Sequence, residues 1–509
     1  MTFDLPVLQM SLRSSFRCSK FRHVFGKPST KEHSYAGVPV TRSVHDNHHC
    51  SANPSFIAVV TECAGGGSFL VLPIHHTGRV DPQHPRVCGH SGRVLDVKWN
   101  PFDDHCIASC SEDCTVKIWD IPVCGVQQNL TKARKTLIGH SRRVALVEWH
   151  PTAQNLLLSS AYDYKVVLMP IHHRYPSDAL LLSVSFNSDG SRLAVASKDR
   201  RVRVLDPRTG RILQVSSSKS HRASKVLFIG GLKMLLSTGS SPWNHRQVVL
   251  WDPADLSEPL YEEDLDGSAG VLFPFYDPDT RMLYLAGKGD GNIRYYELSP
   301  HKPYISFLSE YRSLLPQKGL GVMPKRGLDV RACEVFRFYR LIAVNDLVEP
   351  LSMIVPRKDV SEREDLYPMT AGDQAAMTAQ EWLQGPVLMS LNPGTRIANP
   401  YPETPAERGL VRQTSPPEPP GESGSWSSDR VQPGHRGGGR TSPESSSWQR
   451  DANRPCVLVN FELSKQNKYL IKNQDEIRSL REQLDAKDVR IDQLELDMKN
   501  TRNHMRATF

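Results

Sequence analysis

The stretch GHSGRVLDVKWNPFDDHCIASCSEDCTVKIWD, from Gly89 to Asp120, decides the fold of this 509-residue chain. Runs rich in valine and isoleucine alternate with polar residues between turn-forming residues, which predicts short β-strands. The stretch also places His90, Ser109 and Asp113 in one unit. These are the residue types of a nucleophilic hydrolase, so a catalytic and a structural interpretation both have to be considered.

The unit is repeated along the chain. The pair Gly89-His90 recurs as Gly139-His140, and RVLDVKWNP recurs as RVALVEWHP. Three weaker copies follow, and the positions that close successive units are 119, 169, 205, 251 and 296. Units of about 40–45 residues that hold several short strands are typical of the four-stranded blades of WD40 β-propellers. We therefore predict an all-β protein with a WD40 propeller.

In such blades the histidine, a hydroxyl, the turn aspartate and the tryptophan form a buried chain of hydrogen bonds, because each group would be costly to bury alone. The sequence predicts two such sets: His90, Ser109 or Ser111, Asp113 and Trp119, then His140, Ser159 or Ser160, and Asp163. The pattern repeats, whereas an active site normally occurs once, and no G-x-S-x-G motif surrounds these serines. We predict a structural role for both sets, no catalytic residue and no enzymatic activity.

One unit is shortened. The interval from Met169 to Leu205 is shorter than the other intervals, and VVLMPIHHRYPSDALLLSVSF replaces the expected unit ending and turn. Because a blade needs four strands, we expect either the loss of an outer strand or a propeller that closes with strain. In both cases this region should be the least stable part of the ring.

The composition limits the other functions. A net charge of +8 favours acidic partners, but no nucleic-acid motif appears, so we expect no direct binding of nucleic acid. Cys106, Cys110 and Cys114 are spaced by four residues, which fits no zinc site or secreted disulfide framework, so we predict no metal and no cofactor. No apolar run is long enough to span a bilayer, and the first residues lack a signal peptide's features.

Several stretches outside the repeats resemble the coronin family, and within it the type II group in its A form. They include SKFRHVFGK (19–27), FPFYDPDTRMLYLAGKGDGNIRYYE (273–297) and PQKGLGVMPKRGLDV (316–330). The resemblance covers residues 19–390 and, more loosely, the C-terminal helix. It implies a seven-bladed propeller, and therefore two further blades near residues 55–75 and 325–355.

The resemblance and the composition together predict five regions. They are an N-terminal extension that we expect to be disordered (1–18), the propeller (19–355), an extension packed on the propeller (356–390), a disordered linker rich in proline, glycine and serine (391–459), and a coiled coil (460–509).

Coronins bind actin filaments, so the resemblance implies a non-enzymatic regulator of the actin cytoskeleton, located in the cytoplasm with the nucleus as an alternative. The basic candidates for filament contacts are Lys20, Arg22, Arg42, Lys325 and Arg326. Where type I coronins carry an arginine that matters for filament binding, this chain has Pro39. The departure supports an alternative function, a WD40 scaffold in a nuclear regulatory (transcription corepressor) or membrane-traffic complex with weak actin binding.

The last fifty residues have a heptad pattern. The apolar core positions are Leu470, Ile477, Leu480, Leu484, Ile491, Leu494 and Met498. Parallel self-association would pair residues of opposite charge between neighbouring helices: Glu476 with Arg481, Arg490 with Glu495, and Asp497 with Arg502. RIDQLE (490–495) resembles short trimeric coiled coils, so a trimer is favoured over a dimer. The alternative is a monomeric amphipathic helix docked on the propeller.

Overall fold

The structure is a computed structural model that describes residues 19–63, 65–169, 173–216, 221–357, 366–368, 370–385 and 396–397. All of them belong to the first of two compact units into which the chain divides, residues 1–413. The predicted N-terminal extension, the predicted coiled coil and nearly all of the predicted linker lie outside the described residues.

Seven sheets follow one another along the chain, and we number them as blades 1 to 7. Two strands precede blade 1: β1 (Phe25–Pro28) and β2 (Tyr35–Ala36), with a 3-10 turn between them (Lys31–His33). Blade 1 contains β3 (Cys50–Ala52), β4 (Phe56–Val60), β5 (Ser68–Pro73) and, after the short β6 (Gly78–Arg79), β7 (Val87–Cys88). Blade 2 contains β8 (Val94–Asn100), β9 (Asp103–Ser111), β10 (Thr115–Asp120) and β11 (Lys135–Ile138).

Blades 3 to 5 follow the same order from the inner to the outer strand. Blade 3 contains β12 (Val144–Trp149), then, after the short β13 (Ala153–Gln154), β14 (Leu157–Ala161), β15 (Lys165–Met169) and β16 (His173–Pro176). Blade 4 contains β17 (Leu181–Phe186), β18 (Leu193–Ser197), β19 (Val202–Leu205) and β20 (Ile212–Val215). Blade 5 contains β21 (Arg222–Ile229), β22 (Met234–Ser240), β23 (Arg246–Trp251) and β24 (Tyr261–Asp266).

The last two blades and the extension complete the described chain. Blade 6 contains β25 (Leu272–Asp277), β26 (Met282–Gly287), β27 (Ile293–Leu298) and β28 (Ile305–Tyr311). Blade 7 contains β29 (Gly319–Val322), β30 (Glu334–Ile342) and β31 (Leu347–Ile354), with 3-10 turns at Lys325–Gly327, Val330–Ala332 and Ala343–Asn345. The remaining elements are β32 (Thr370–Ala371), β33 (Met377–Thr378), α1 (Ala379–Gln384) and β34 (Arg396–Ile397).

The strands near each end of the propeller meet in blade 7 and close the ring. Both β1 and β2 pair antiparallel with β31, in registers that set Phe25 opposite Ile354 and Tyr35 opposite Val348. The N-terminal strands therefore supply the outer strand that blade 7 lacks. The seven-bladed fold is confirmed, including the two blades that the repeat pattern alone did not reveal.

The hydrophobic core consists of seven separate clusters among the described residues, each between two neighbouring blades. Because every blade is packed on both faces, inner strands are apolar on both sides, and all five residues of β4 (FIAVV) are buried. Phe69 of blade 1, for example, shares a cluster with Trp119 of blade 2. The ring is thus held by its blade-to-blade contacts.

The shortened unit keeps all its strands. The outer strand of blade 3 is present and pairs with β15, so that His173 lies opposite Leu168 and Pro176 opposite Lys165. The interval is short because only residues 170–172 connect β15 to β16, whereas residues 121–134 connect the corresponding strands of blade 2. The predicted loss of an outer strand is therefore wrong, since the shortening falls on a connection. The other expected outcome, a ring that closes with strain, and the low stability of this region stay predictions.

The described part of the predicted extension packs on blade 3. Strand β33 pairs in parallel with β13, and the side chains of Thr378 and Glu381 form a capping box that starts helix α1. Trp382 on this helix is buried, with its ring centroid 4.9 Å from that of His150. The guanidinium of Arg208 in blade 4 donates to the carbonyl oxygen of Trp382 at 2.7 Å. These contacts tie α1 to two neighbouring blades.

Candidate functional site

The propeller has two faces, which we name by what covers them. The plug face carries the turns between the second and third strands of each blade and the connections into each inner strand. It is covered at its centre by residues 43–49, which we call the plug. The extension face carries the turns between first and second strands, including β13, and therefore also helix α1.

The predicted set of blade 2 is joined by hydrogen bonds. The His90 Nδ1 lies 2.8 Å from the Asp113 carboxylate, and the His90 Nε2 lies 2.7 Å from Ser109 Oγ. The indole N–H of Trp119 donates to the same Ser109 oxygen at 2.8 Å. An ionised carboxylate only accepts, so the proton on His90 sits at Nδ1 and the Ser109 hydroxyl donates to Nε2. Every polar group of the set is thereby satisfied.

The alternative serine of blade 2 has a different partner. Ser111 Oγ donates to the carbonyl oxygen of Gly92 at 2.9 Å and accepts from the backbone N–H of Asp113 at 3.2 Å, so it supports the turn and does not bond to His90. Burial alone would raise the pKa of Asp113, but its interactions with His90 and hydrogen bonds from Thr115 outweigh burial and hold the pKa well below its usual range. The aspartate is therefore a permanent anion that anchors the histidine.

Blade 3 brings together the second predicted set. The His140 Nδ1 lies 3.1 Å from both carboxylate oxygens of Asp163, and its Nε2 lies 2.9 Å from Ser159 Oγ. Met169 stands where blade 2 has its tryptophan, and Ser159 Oγ lies 3.4 Å from the carbonyl oxygen of Val167. Burial lowers the pKa of His140 despite the opposing effect of Asp163, so the imidazole is neutral at pH 7. Ser160 is buried beside this set.

Blade 5 contains a set that the sequence analysis missed. The His221 Nδ1 lies 2.6 Å from Gln247 Oε1, and the His221 Nε2 lies 2.9 Å from Ser237 Oγ. The indole N–H of Trp251 donates to Ser237 at 2.8 Å. A glutamine on the third strand replaces the aspartate of the turn, and no glycine precedes the histidine. The sequence signal that remained was Trp251 with a serine on the preceding strand.

Blade 4 uses an arginine at the equivalent place. The Arg203 guanidinium donates to Ser197 Oγ at 2.5 Å and forms an ion pair with the carboxylate of Asp199. The turn between the second and third strands of blade 4 is therefore stabilised by an arginine, where blade 2 uses a neutral imidazole and an indole.

The plug crosses the centre of its face and is bonded to several blades. The Asn47 amide donates to the carbonyl oxygens of Leu95 in blade 2 and Ala145 in blade 3, both at 2.8 Å. From the other side, Lys225 of blade 5 donates to the Asp46 carbonyl at 2.6 Å. Lys288 of blade 6 forms an ion pair with the Asp46 carboxylate at 2.6 Å. The plug thus links four blades at the ring's centre.

The candidate basic residues for filament contacts divide between the faces. Residues 19–24 precede Phe25, which is paired with the end of β31, so Lys20 and Arg22 lie towards the extension face, and both are exposed. Arg42 is exposed towards the plug face, where its backbone N–H donates to Glu62 at 2.9 Å. The carbonyl of Pro39 accepts a hydrogen bond from the Glu62 N–H at 2.8 Å.

The other two basic candidates lie in ion pairs on the extension face. Lys325 pairs with Asp277 of blade 6, and Arg326 forms a two-pronged pair with Asp104 of blade 2. Their charges are thus already engaged in contacts between blades, and a filament would have to compete with these carboxylates. The structure does not bring the five candidates together on one surface.

The part of the chain that the structure describes contains no disulfide and no candidate metal site. Its eight cysteines all carry free thiols, and its histidine, cysteine and acidic residues form no group that could hold a metal ion. Within the same residues, no helix has both the length and the apolar character that crossing a bilayer requires.

Comparisons with known proteins agree with this geometry. Residues 83–120 and 170–206 match the WD domain, G-beta repeat; residues 348–387 match a type of WD40 repeat; and residues 14–79 match a domain of unknown function, DUF1899. A solved WD40 domain of a coronin from Toxoplasma gondii superposes with a TM-score of 0.67 at 28% identity, over 72% of this chain and 95% of that one.

The sheets and their hydrogen-bonded sets define a seven-bladed WD40 propeller protein. Coronin-2A from Homo sapiens is 54% identical over 97% of this chain and 99% of its own length. Coronin-2B from Homo sapiens is 50% identical over 98% of this chain and 99% of its own length. The chain belongs to the coronin family, and its resemblance to the A form of the type II group is confirmed.

Proposed function

We propose that this chain is a non-enzymatic, actin-filament-binding regulator that works in the cytoplasm and on the cytoskeleton. The observation that carries the proposal is the identity to coronins along nearly the whole chain. The ring supports it physically, because blades fixed by buried hydrogen bonds present a rigid surface that loses little entropy on binding. The net charge of +8 suits an acidic filament.

The alternative of a serine hydrolase is disfavoured by burial. Ser109 is 0% exposed, and its oxygen accepts a hydrogen bond from the Trp119 indole. A substrate carbonyl therefore has no path to this oxygen, although Ser109, His90 and Asp113 have the connectivity of a triad. A serine-directed fluorophosphonate probe should leave Ser109 unlabelled in the folded protein. Labelling there would reopen the hydrolase hypothesis.

Filament binding is tested by co-sedimentation of the full chain with actin filaments across a salt series. We expect binding that weakens as salt rises, because an electrostatic interface is screened. The triple variant Lys20→Ala, Arg22→Ala, Arg42→Ala should bind several-fold more weakly. The control is Arg211→Ala, which removes one exposed charge from the connection between β19 and β20. Absence of co-sedimentation at low salt would refute the proposal.

The C-terminal segment is proposed to make filament binding multivalent. A parallel coiled coil over residues 460–509, with the predicted trimer favoured, would hold several propellers at high local concentration and convert weak single contacts into useful avidity. Removing residues 460–509 should therefore weaken co-sedimentation more than the triple variant does. Light scattering of the full chain and the truncated chain gives the oligomer order. A full chain that is monomeric would contradict this part of the proposal.

A scaffold in a nuclear regulatory or membrane-traffic complex remains the second candidate. Pro39 favours it, because a proline cannot provide the cationic contact that an arginine gives at this place. Affinity capture from separated nuclear and cytosolic fractions distinguishes the two candidates. Recovery of actin mainly from the cytosolic fraction supports the first, and a defined nuclear complex without actin supports the second.

A further inference from the structure

Beside the plug lies a cavity of about 290 Å³ at the centre of the plug face. Residues 44–47 of the plug form one wall. Arg143 and Tyr162 of blade 3, the chain at residues 180–182 of blade 4, and Lys225 of blade 5 form the rest. The cavity is open to solvent, so a ligand can reach it without displacing the plug.

A second, wider hollow of about 1010 Å³ adjoins it. The two share Arg143 and Tyr162, and the second continues past Arg142 and Tyr164 of blade 3 towards Cys114 in the turn of blade 2. Together they form one groove from the ring's centre outwards along blades 2 and 3, which we call the blade 3 groove. Its form suits an extended chain better than a compact ligand.

Two of the groove's cations, Arg142 and Arg143, donate no hydrogen bond from their guanidinium groups to the residues that the structure describes. The Arg143 guanidinium lies 3.9 Å from the centroid of the Tyr162 ring, and its only ion pair among the described residues is a 3.9 Å contact with Glu112. The Arg143 side chain is 44% exposed. Arg142 is exposed and forms no ion pair within the described part of the chain. Two acidic residues line the groove: Asp46 forms an ion pair with Lys288 at 2.6 Å, and Asp163 is already bonded to His140.

The feature of the groove that most favours an anionic ligand is the buried ammonium of Lys225. The residue is 6% exposed, and its ammonium donates to the main-chain carbonyls of Asp46 at 2.6 Å and Leu182 at 3.3 Å. No carboxylate lies within 4.0 Å of it among the residues that the structure describes. Burial lowers its pKa to about 8, although the charges of Asp46 and Asp96 oppose this. The one carboxylate that lines the cavity, that of Asp46, is paired with Lys288, so the buried ammonium of Lys225 has no carboxylate partner of its own in the described part of the chain.

Apolar surface lies along the same path. Val44 at the rim of the cavity is 85% exposed, and Tyr164 at the outer end of the groove is 53% exposed. Aromatic and apolar groups beside arginines are the composition of protein-binding surfaces, whereas a site for a small anion needs only the charges. A peptide with both acidic and apolar side chains complements the whole groove.

We propose that the blade 3 groove binds an extended acidic peptide of a partner protein, with one carboxylate side chain in the central cavity between Arg143 and Lys225. The following residues pass over Tyr162 and Arg142 towards the rim of the ring. This site shares no residue with the filament contacts proposed above, so the proposal does not depend on actin binding.

The test uses the full-length protein and a fluorescein-labelled octaglutamate peptide, with octaglutamine as the uncharged probe, followed by fluorescence anisotropy. We expect saturable binding of octaglutamate and none of octaglutamine. Arg143→Gln should weaken binding about tenfold, since it removes the cation that pairs with the peptide carboxylate in the cavity. Arg142→Gln, at the exposed rim, should weaken it about threefold. The matched control Arg211→Gln loses the same charge elsewhere and should bind like the parent.

Three results would overturn the proposal: no binding of octaglutamate, equal weakening by Arg143→Gln and Arg211→Gln, or tight binding of inositol hexakisphosphate by a protein that ignores the peptide. The last would assign the cavity to a small polyanion. Lys225→Gln also loosens the plug, so the conclusion rests on Arg143→Gln, whose folding is checked by its unfolding midpoint. Filament co-sedimentation of Arg143→Gln should match that of the parent protein.

Discussion

Ser109 stands in the middle of a chain of polar side chains that runs in one direction. The Trp119 indole donates to its oxygen, and its own hydroxyl donates to His90, which donates in turn to Asp113. Each donor has one acceptor, so the chain locks the histidine tautomer and fixes the turn that holds Asp113. The residues that resemble a catalytic triad therefore have a structural role: they hold the turn in place.

Replacing Ser109 with alanine should lower the free energy of unfolding by about 2 kcal/mol, since the buried indole N–H and the imidazole nitrogen lose their shared partner. The measurement is the urea unfolding midpoint, followed by tryptophan fluorescence. The control is Ser91→Ala, because Ser91 is exposed and contributes only its backbone N–H to Asp113. Equal midpoints for the two variants would show that the chain adds no stability.

His221 makes stability depend on pH. Burial lowers its pKa in the folded protein to about 4, although the hydrogen bond that His221 donates to Gln247 Oε1 opposes this. An imidazole in the unfolded chain titrates near 6.5, so only the unfolded state gains a proton between those values. The stabilising contribution is complete above pH 6.5 and is lost as the pH falls towards 4. His221→Asn should therefore unfold with a shallower pH dependence, by at most ~1.4 kcal/mol per pH unit.

Urea unfolding at several pH values measures this difference directly. The comparison with the parent is needed because burial raises the pKa of Asp96 to about 6, which opposes the histidine effect in the same range. The control is His245→Asn, an exposed imidazole in the same blade. A parallel pH dependence of His221→Asn and the parent protein would contradict the assignment.

At the scale of strands and helices, local spacing explains what the sequence could predict. The sets of blades 2 and 3 were predictable because glycine, histidine and aspartate recur at fixed distances in one unit. The set of blade 5 was not, because Gln247 replaces the acid and reaches His221 only through strand pairing. That the shortening falls between β15 and β16 was likewise recognisable only once the outer strand of blade 3 was located.

The plug shows a stronger limit of sequence reasoning. Asn47 bonds to Leu95 and Ala145, and Asp46 bonds to Lys225 and Lys288, so its partners come from four blades. No period or motif links residues so far apart in the chain. The charged residues of the blade 3 groove are likewise far apart in the sequence, and they become neighbours only in the closed ring.

The strands β1 and β2 support a test of ring closure. A variant that lacks residues 1–36 loses both strands and leaves β31 as a free edge, whereas a variant that lacks residues 1–18 keeps them. We expect the longer truncation to unfold at much lower urea and to aggregate, because an unpaired strand edge is a template for pairing with other chains. Circular dichroism and light scattering give the two readouts. Equal stability of both truncations would show that closure contributes little.

At the scale of the whole molecule, an isolated blade would have no complete hydrophobic core, because each hydrophobic cluster is shared between two neighbouring blades. A ring of shared clusters has no first or last blade once it is closed. Damage to one blade therefore weakens both of its interfaces, and the unfolding of the ring should be cooperative. The plug and helix α1 add ties across blades on opposite faces.

Closure through β1, β2 and β31 also sets an order of events on the ribosome. The first two strands emerge early, but their pairing partner Leu347–Ile354 is translated some three hundred residues later. At roughly 5–20 residues per second, the two strands wait roughly 15 to 60 s without their hydrogen-bonding neighbours. The nascent chain thus exposes two unpaired strands near its N-terminus during most of its synthesis. Binding of molecular chaperones to these strands is most useful during this interval.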